Sequence, residues 1–195
     1  MIAGATTANV VGFPKRRERP RPRSKVSHFT GEQLKSFLMA AKACGKREYA
    51  MFLMAFSHGI RASEICNLRM NDLNLKQSTV RINRLKGSLE SLQPFLFEKG
   101  TPLLNEEKAI REWLAVREAD SDEFVFNSRK SDRLNRATVF RLFQGICKAA
   151  GIEDRTLWHP HVLKHTAGSL MAQKSGDAFA VKQHLGHRSF DSTLV

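Results

Sequence analysis

From Thr30 onward the apolar positions fall at helical spacing. Leu34, Phe37, Leu38 and Ala41 make one stripe, and Thr30-Gly31-Glu32-Gln33 ahead of them reads as a capping box. A second helix is predicted from about Arg47 to Ser57 on Ala50, Met51, Met54 and Ala55, and Gly59 supplies a left-handed residue to stop it. Ser63-Glu64 restarts a short helix through Leu68. After Asp72 the period drops to two. Residues 78–84, STVRINR, alternate apolar and polar as a strand does, and residues 92–97, LQPFLF, offer a return strand across a turn at Lys86-Gly87-Ser88. Helical spacing returns over residues 105–118 (Ile110, Trp113, Leu114), over 136–150 with Gly151 behind, over 160–174 with Pro160 in the first turn, and over 178–185. The pattern predicts a mainly α domain with one small antiparallel β-sheet, an α+β class, and it contains no internal repeat.

Charge narrows the partner. Thirty-two Lys and Arg against 19 Asp and Glu leave +13 on a 195-residue chain, whose 42% hydrophobic fraction supports a globular core. Such a surplus favours a polyanion: nucleic acid first, an acidic membrane surface second. No stretch approaches the roughly 20 apolar residues that cross a bilayer. The amino-terminal MIAGATTANVVGFPKRR puts its charges after its weakly apolar part, unlike a secretory signal. Residues 14–25, PKRRERPRPRSK, hold seven basic residues, one acid and three prolines, a mix that prefers extended, solvated backbone. Residues 1–25 are therefore expected to be a basic tail and residues 26–195 the folded unit. Such a tail serves equally as linker, localisation signal or phosphate contact. Cys44, Cys66 and Cys147 are odd in number, scattered and set in apolar helical patterns, so they read as small core residues of a protein in a reducing cytoplasm.

Three segments carry candidate chemistry. In residues 58–73, HGIRASEICNLRMNDL, Arg61 follows a glycine at a helix boundary and Glu64 stands one turn later, where its carboxylate can orient the guanidinium toward a phosphate. Alone, the pair is also an ordinary surface salt bridge. In residues 84–88, RLKGS, Lys86 sits at a hairpin tip, from which a lysine can enter a groove and give up a proton; lysine and glycine are equally ordinary turn residues. In residues 159–170, HPHVLKHTAGSL, helical spacing puts His161, Lys164 and His165 on one face and Leu163, Ala167 and Leu170 on another, so His161 and Lys164 are expected to point together away from the core. A metal centre on His161 and His165, joined by His159, His184 or His187, is the rival there. The acid of an H-E-x-x-H helix is missing, however, because Val162 stands in its place.

In order, Arg61 in G-x-R-x-x-E, Lys86 in a hairpin, His161 and Lys164 in H-x-x-(R or K)-H-T, and Leu185-Gly186-His187 resemble the tyrosine recombinases, the phage integrase family, over roughly residues 28–195. The run from RLKGS to EKAIREWLAVRE looks most like the short invertases that flip fimbrial promoter segments. The resemblance implies the tyrosine recombinase catalytic-domain fold and double-stranded DNA as partner. It also implies self-association on DNA into a tetrameric synapse at the nucleoid in the cytoplasm, with no membrane, no cofactor and no metal. A tyrosine would attack a phosphodiester to give a 3′-phosphotyrosyl link and a free 5′-hydroxyl, conserving the bond energy. By the same resemblance Arg61 and Lys164 would clasp the non-bridging oxygens, Lys86 would protonate the leaving 5′-oxygen, His161 would act as base and His187 would hydrogen-bond the phosphate.

The chain departs from the family pattern twice. Lys164 stands where the family usually has arginine, which keeps the charge and loses the two-pronged grip. In relatives a tyrosine follows the histidine of Leu-Gly-His at a spacing that here falls directly after Val195, and Tyr49, the one tyrosine, sits beside Ala50 and Met51 as a packing residue. The expectation is a recombinase catalytic domain truncated just short of its nucleophile and unable to complete cleavage. The alternative is a catalytically inactive DNA-binding regulator, or a gene remnant, on the same scaffold.

Overall fold

The computed structural model describes residues 27–84, 90–118, 123–128, 131 and 133–186. The first helix, α1 (Gly31–Cys44), opens on the expected capping box: the Thr30 hydroxyl accepts from the Gln33 amide at 3.2 Å, and the Gln33 side chain accepts from the Thr30 amide at 2.9 Å. The next, α2 (Lys46–Ser57), is buried at every position from Tyr49 to Phe56. It packs against α1, α4 (Glu106–Leu114) and α6 (His161–Ser175), and a helix covered on all sides loses the one-sided stripe of a surface helix. Phe37 of α1, Phe52 of α2 and Phe143 of α5 (Arg136–Ala149) meet at centroid distances of 4.7 to 5.5 Å, tilted or edge-on as ring quadrupoles prefer. Each such ring contributes about 1.5–3 kcal/mol by leaving water. Tyr49 is a packing residue, as expected; its hydroxyl donates to the Leu103 carbonyl at 2.7 Å.

The sheet is antiparallel and small. Strand β2 (Thr79–Ile82) pairs with β3 (Ser91–Pro94), Val80 opposite Gln93 and Ile82 opposite Ser91. A two-residue β1 (Leu73–Asn74), too short to show an alternation, adds to the other edge of β2. The Asn74 side chain makes that hairpin by accepting from the amides of Lys76 and Gln77 at 3.2 and 3.1 Å. The turn at Lys86-Gly87-Ser88 and the basic tail lie outside the described residues.

Three expectations are corrected. The short α3 (Ala62–Cys66) stops before Leu68, and α4 ends at Leu114 rather than Glu118. Beyond α4, Arg117 donates to the Phe124 carbonyl at 2.8 Å and the Trp113 indole donates to the Val125 carbonyl at 2.9 Å. Cys44 is exposed on the last turn of α1, whereas Cys66 and Cys147 are core residues. Helices α5, α6 and α7 (Ala178–Leu185) follow the predicted limits within a residue or two. Among the described residues no helix is long and apolar enough to cross a membrane.

Candidate active site

The end of α2, the hairpin, and α6 with α7 converge on one corner. Gly59 takes φ +55, a conformation that side chains disfavour, and lets the chain reverse after His58 so that Arg61 becomes the N-cap of α3. Glu64 then holds Arg61 twice, accepting from its backbone amide and from Nη1, both at 2.8 Å. The Glu64 side chain is 2% exposed and that of Arg61 33%. The carboxylate fixes the arginine from inside while the outer edge of the guanidinium faces solvent.

The structure separates Lys164 from its expected direction. His161 is exposed, but Lys164 is buried, with Nζ donating to the Leu185 carbonyl at 2.6 Å. The cause is α7, which folds back over α6 and roofs that face; spacing within one helix carries no sign of a later helix. Burial, then the charges of Arg84 and Arg61, push the Lys164 ammonium down to about 7, with Glu64 pulling the other way. Desolvation and the charges of His165, Lys164, Arg61 and His159 push His161 down to about 4, so at neutral pH its imidazole is uncharged, with one ring nitrogen a hydrogen-bond acceptor. Arg61, His161 and Lys164, scattered in sequence, therefore sit in one another's field. Lys86 and His187 fall outside the described residues. The His161 and His165 rings meet edge-on at 4.5 Å, and among the described residues no group of three or more His, Cys, Asp or Glu is placed to hold a metal ion.

Sequence reasoning missed Arg84. Its guanidinium is buried and spends its Nη atoms on three carbonyls: Nη1 donates to Gly59 at 3.0 Å, and Nη2 to His58 at 2.9 Å and His184 at 2.7 Å. Nη1 also lies 3.8 Å from the Glu64 carboxylate. Burial lowers Arg84 to about 10, Glu64 opposing and Arg61 assisting, which leaves it charged at neutral pH. The signal was present: by a period of two, Val80, Ile82 and Arg84 face the same way, and all three are buried.

Behind Arg84 lies a polar network in the core. His58 Nδ1 meets Gln93 Oε1 at 2.8 Å and Nε2 meets Glu106 Oε1 at 2.7 Å. Gln93 Nε2 donates to the Ser91 hydroxyl at 2.8 Å and to the His184 carbonyl at 3.0 Å, so its oxygen is the acceptor and His58 donates from both nitrogens. Burial opposes that charge, but the Glu106 carboxylate and the hydrogen bonds from Glu106 and Gln93 outweigh it and raise the His58 pKa. At the corner itself the Arg61 and Lys164 charges share the Glu64 carboxylate and suit an anion, while the Arg84 guanidinium is spent on backbone carbonyls.

Residues 27–195 match the phage integrase family. The chain belongs to that family, the tyrosine recombinases. It is 32% identical over 179 residues to the type 1 fimbriae regulatory protein FimE of Escherichia coli K12, covering 88% of this chain and 85% of that protein. The crystal structure of XerA recombinase superposes with a TM-score of 0.74 at 26% identity over 88% of this chain, which spans 60% of the XerA chain's length. The XerH site-specific recombinase bound to its difH substrate has the same fold, with a TM-score of 0.70 at 22% identity over 89% of this chain and 51% of that one. By family and fold this is a tyrosine-type site-specific DNA recombinase, and its mainly α architecture with a small sheet is the recombinase catalytic-domain fold expected from the motifs.

Proposed function

We propose that the corner formed by Arg61, His161 and Lys164 activates a DNA phosphodiester for strand exchange. The observation that carries this reading is the Arg61 guanidinium, held from inside by the buried Glu64 and set in a common field with His161 and Lys164. Attack on a phosphodiester builds charge on the non-bridging oxygens, and a pre-set guanidinium stabilises that charge without reorganising. Arg61 supplies the fork and Lys164, buried behind it, supplies charge. His161, neutral at physiological pH, takes the proton of the attacking tyrosine. Lys86 protonates the leaving 5′-oxygen, His187 donates to the phosphate, and the nucleophile is a tyrosine directly after Val195. Exchange between two duplexes requires each strand to be cut and rejoined, so protomers gather on DNA as a tetrameric synapse at the nucleoid, with no cofactor. Residues 26–195 make the catalytic unit and residues 1–25 follow the phosphate backbone.

The test is a chain bearing a tyrosine after Val195, offered a suicide substrate that traps the phosphotyrosyl link. A covalent adduct is expected, lost in Arg61→Ala while duplex affinity changes little. Duplex binding with no adduct in the tyrosine-bearing chain supports the other reading instead, a DNA-binding regulator on the recombinase scaffold.

A further inference from the structure

We infer that Arg84 is a positioning residue: its buried guanidinium, together with Lys164, caps the end of α7 and ties it to the turn that presents Arg61. The inference rests on the reading above only in the use made of Arg61. A helix leaves its last carbonyls unpaired and concentrates partial negative charge there. In α7 the Gln183 carbonyl accepts from the Gly186 amide at 3.1 Å. The His184 carbonyl accepts from Arg84 Nη2 and Gln93 Nε2, and the Leu185 carbonyl accepts from Lys164 Nζ. Two basic side chains from different elements, one just after β2 and one in the first turn of α6, thus close one helix end with hydrogen bonds donated to its carbonyls.

The same guanidinium also binds the carbonyls of His58 and Gly59, from which the backbone runs to Arg61. Arg84 is one rigid plate between the turn that presents Arg61 and the end of α7. Lysine has no planar fork with which to serve three carbonyls. Packing removes the remaining freedom. Gly186 takes φ +64, and a Cβ there would stand 2.9 Å from Arg84 Nε. The Leu185 side chain fills notches at two other glycines, where a Cβ would stand 2.4 Å from its Cδ2 at Gly59 and 2.9 Å from its Cδ1 at Gly168. Arg84 itself is 8% exposed and its Nη atoms are committed to carbonyls, so it acts through backbone and not on phosphate.

Arg84→Met and Arg84→Lys, made in the chain as it stands, test the cap by amide hydrogen exchange. Arg84→Met is expected to speed exchange roughly tenfold or more at residues 181–186 and 59–61, as loss of charge-assisted hydrogen bonds implies, with Phe37 and Phe143 unchanged and Arg84→Lys intermediate. Affinity for a mixed-sequence duplex should stay within about threefold with the same salt slope, because no phosphate contact is lost. In the tyrosine-bearing chain at saturating DNA, either variant should slow adduct formation, by about 100-fold for Arg84→Met, the scale of an ångström-sized misplacement. Unchanged exchange at both segments overturns the inference, as does equal loss of protection at Phe37 and Phe143, or a salt slope reduced by about one phosphate contact. Where Arg84→Met does not fold, Arg84→Lys decides on the same measurements. A wild-type tyrosine-bearing chain that forms no adduct counts against the catalytic reading alone, since exchange still reads the cap.

Discussion

The His58 imidazole and the Glu106 carboxylate meet at 2.7 Å with side chains 1% and 0% exposed, directly beneath the turn that presents Arg61. The other Glu106 oxygen accepts from the Ser57 hydroxyl and the Leu96 amide, each at 2.8 Å, so the carboxylate pins the end of α2 to the strand-to-helix connection. Removing its charge leaves a buried imidazolium uncompensated, and Glu106→Gln is expected to lose about 3–5 kcal/mol in urea unfolding. The folded His58 pKa lies above its ordinary 6.5, so the pair's contribution is complete below that pH and is lost as pH rises through the raised value. The gap between wild type and Glu106→Gln should therefore be widest in mild acid and narrow in alkali; a gap independent of pH would contradict a charged His58.

Gly59 and Gly168 should not respond alike to alanine. At Gly59 both the φ of +55 and a 2.4 Å approach to Leu185 Cδ2 oppose a methyl group, whereas at Gly168 only a milder 2.9 Å approach to Cδ1 of the same side chain does. Gly59→Ala is expected to cost about 1–3 kcal/mol as overpacking with backbone strain, and Gly168→Ala less. If Leu185 is the obstacle, Leu185→Ala will cost less in the Gly59→Ala background than in wild type, which a double-mutant cycle of urea midpoints measures.

Local chemistry was legible in the chain; tertiary covering was not. The Thr30–Gln33 box, the stop at Gly59, the Glu64 carboxylate one turn beyond Arg61 and the apolar stripes of α1 and α5 are short-range features whose residues carry their own physics. Lys164 read as outward-facing because a helical wheel contains only its own helix, and the roof over it is α7. Arg84 closed the predicted strand without being singled out, because charge usually marks solvent, although the strand period had already turned it inward with Ile82. The His58–Glu106 pair spans elements that no spacing rule connects. Lys164, Arg84 and the His58–Glu106 pair are each polar groups held by distant partners.

Lys164 gives the corner a pH dependence of opposite sign in two measurements. Its ammonium is held near 7, below the ordinary 10.5, so between these values the unfolded chain carries a proton that the folded chain lacks. The Lys164 contribution therefore makes stability rise with pH from about 7 toward about 10.5. An arriving phosphate favours the ammonium and raises its pKa, so DNA binding near pH 7 should take up about half a proton, and affinity should fall as pH rises. Calorimetry in two buffers of different ionisation enthalpy reads the uptake, and urea unfolding at stepped pH reads the stability. Lys164→Met should flatten both slopes together while leaving the Leu185 carbonyl without its buried donor, at a cost of about 1–3 kcal/mol. Binding that moves no protons in wild type would mean that the phosphate stays too far from Lys164 to feel it, and Arg61 would then carry the charge of the transition state without it.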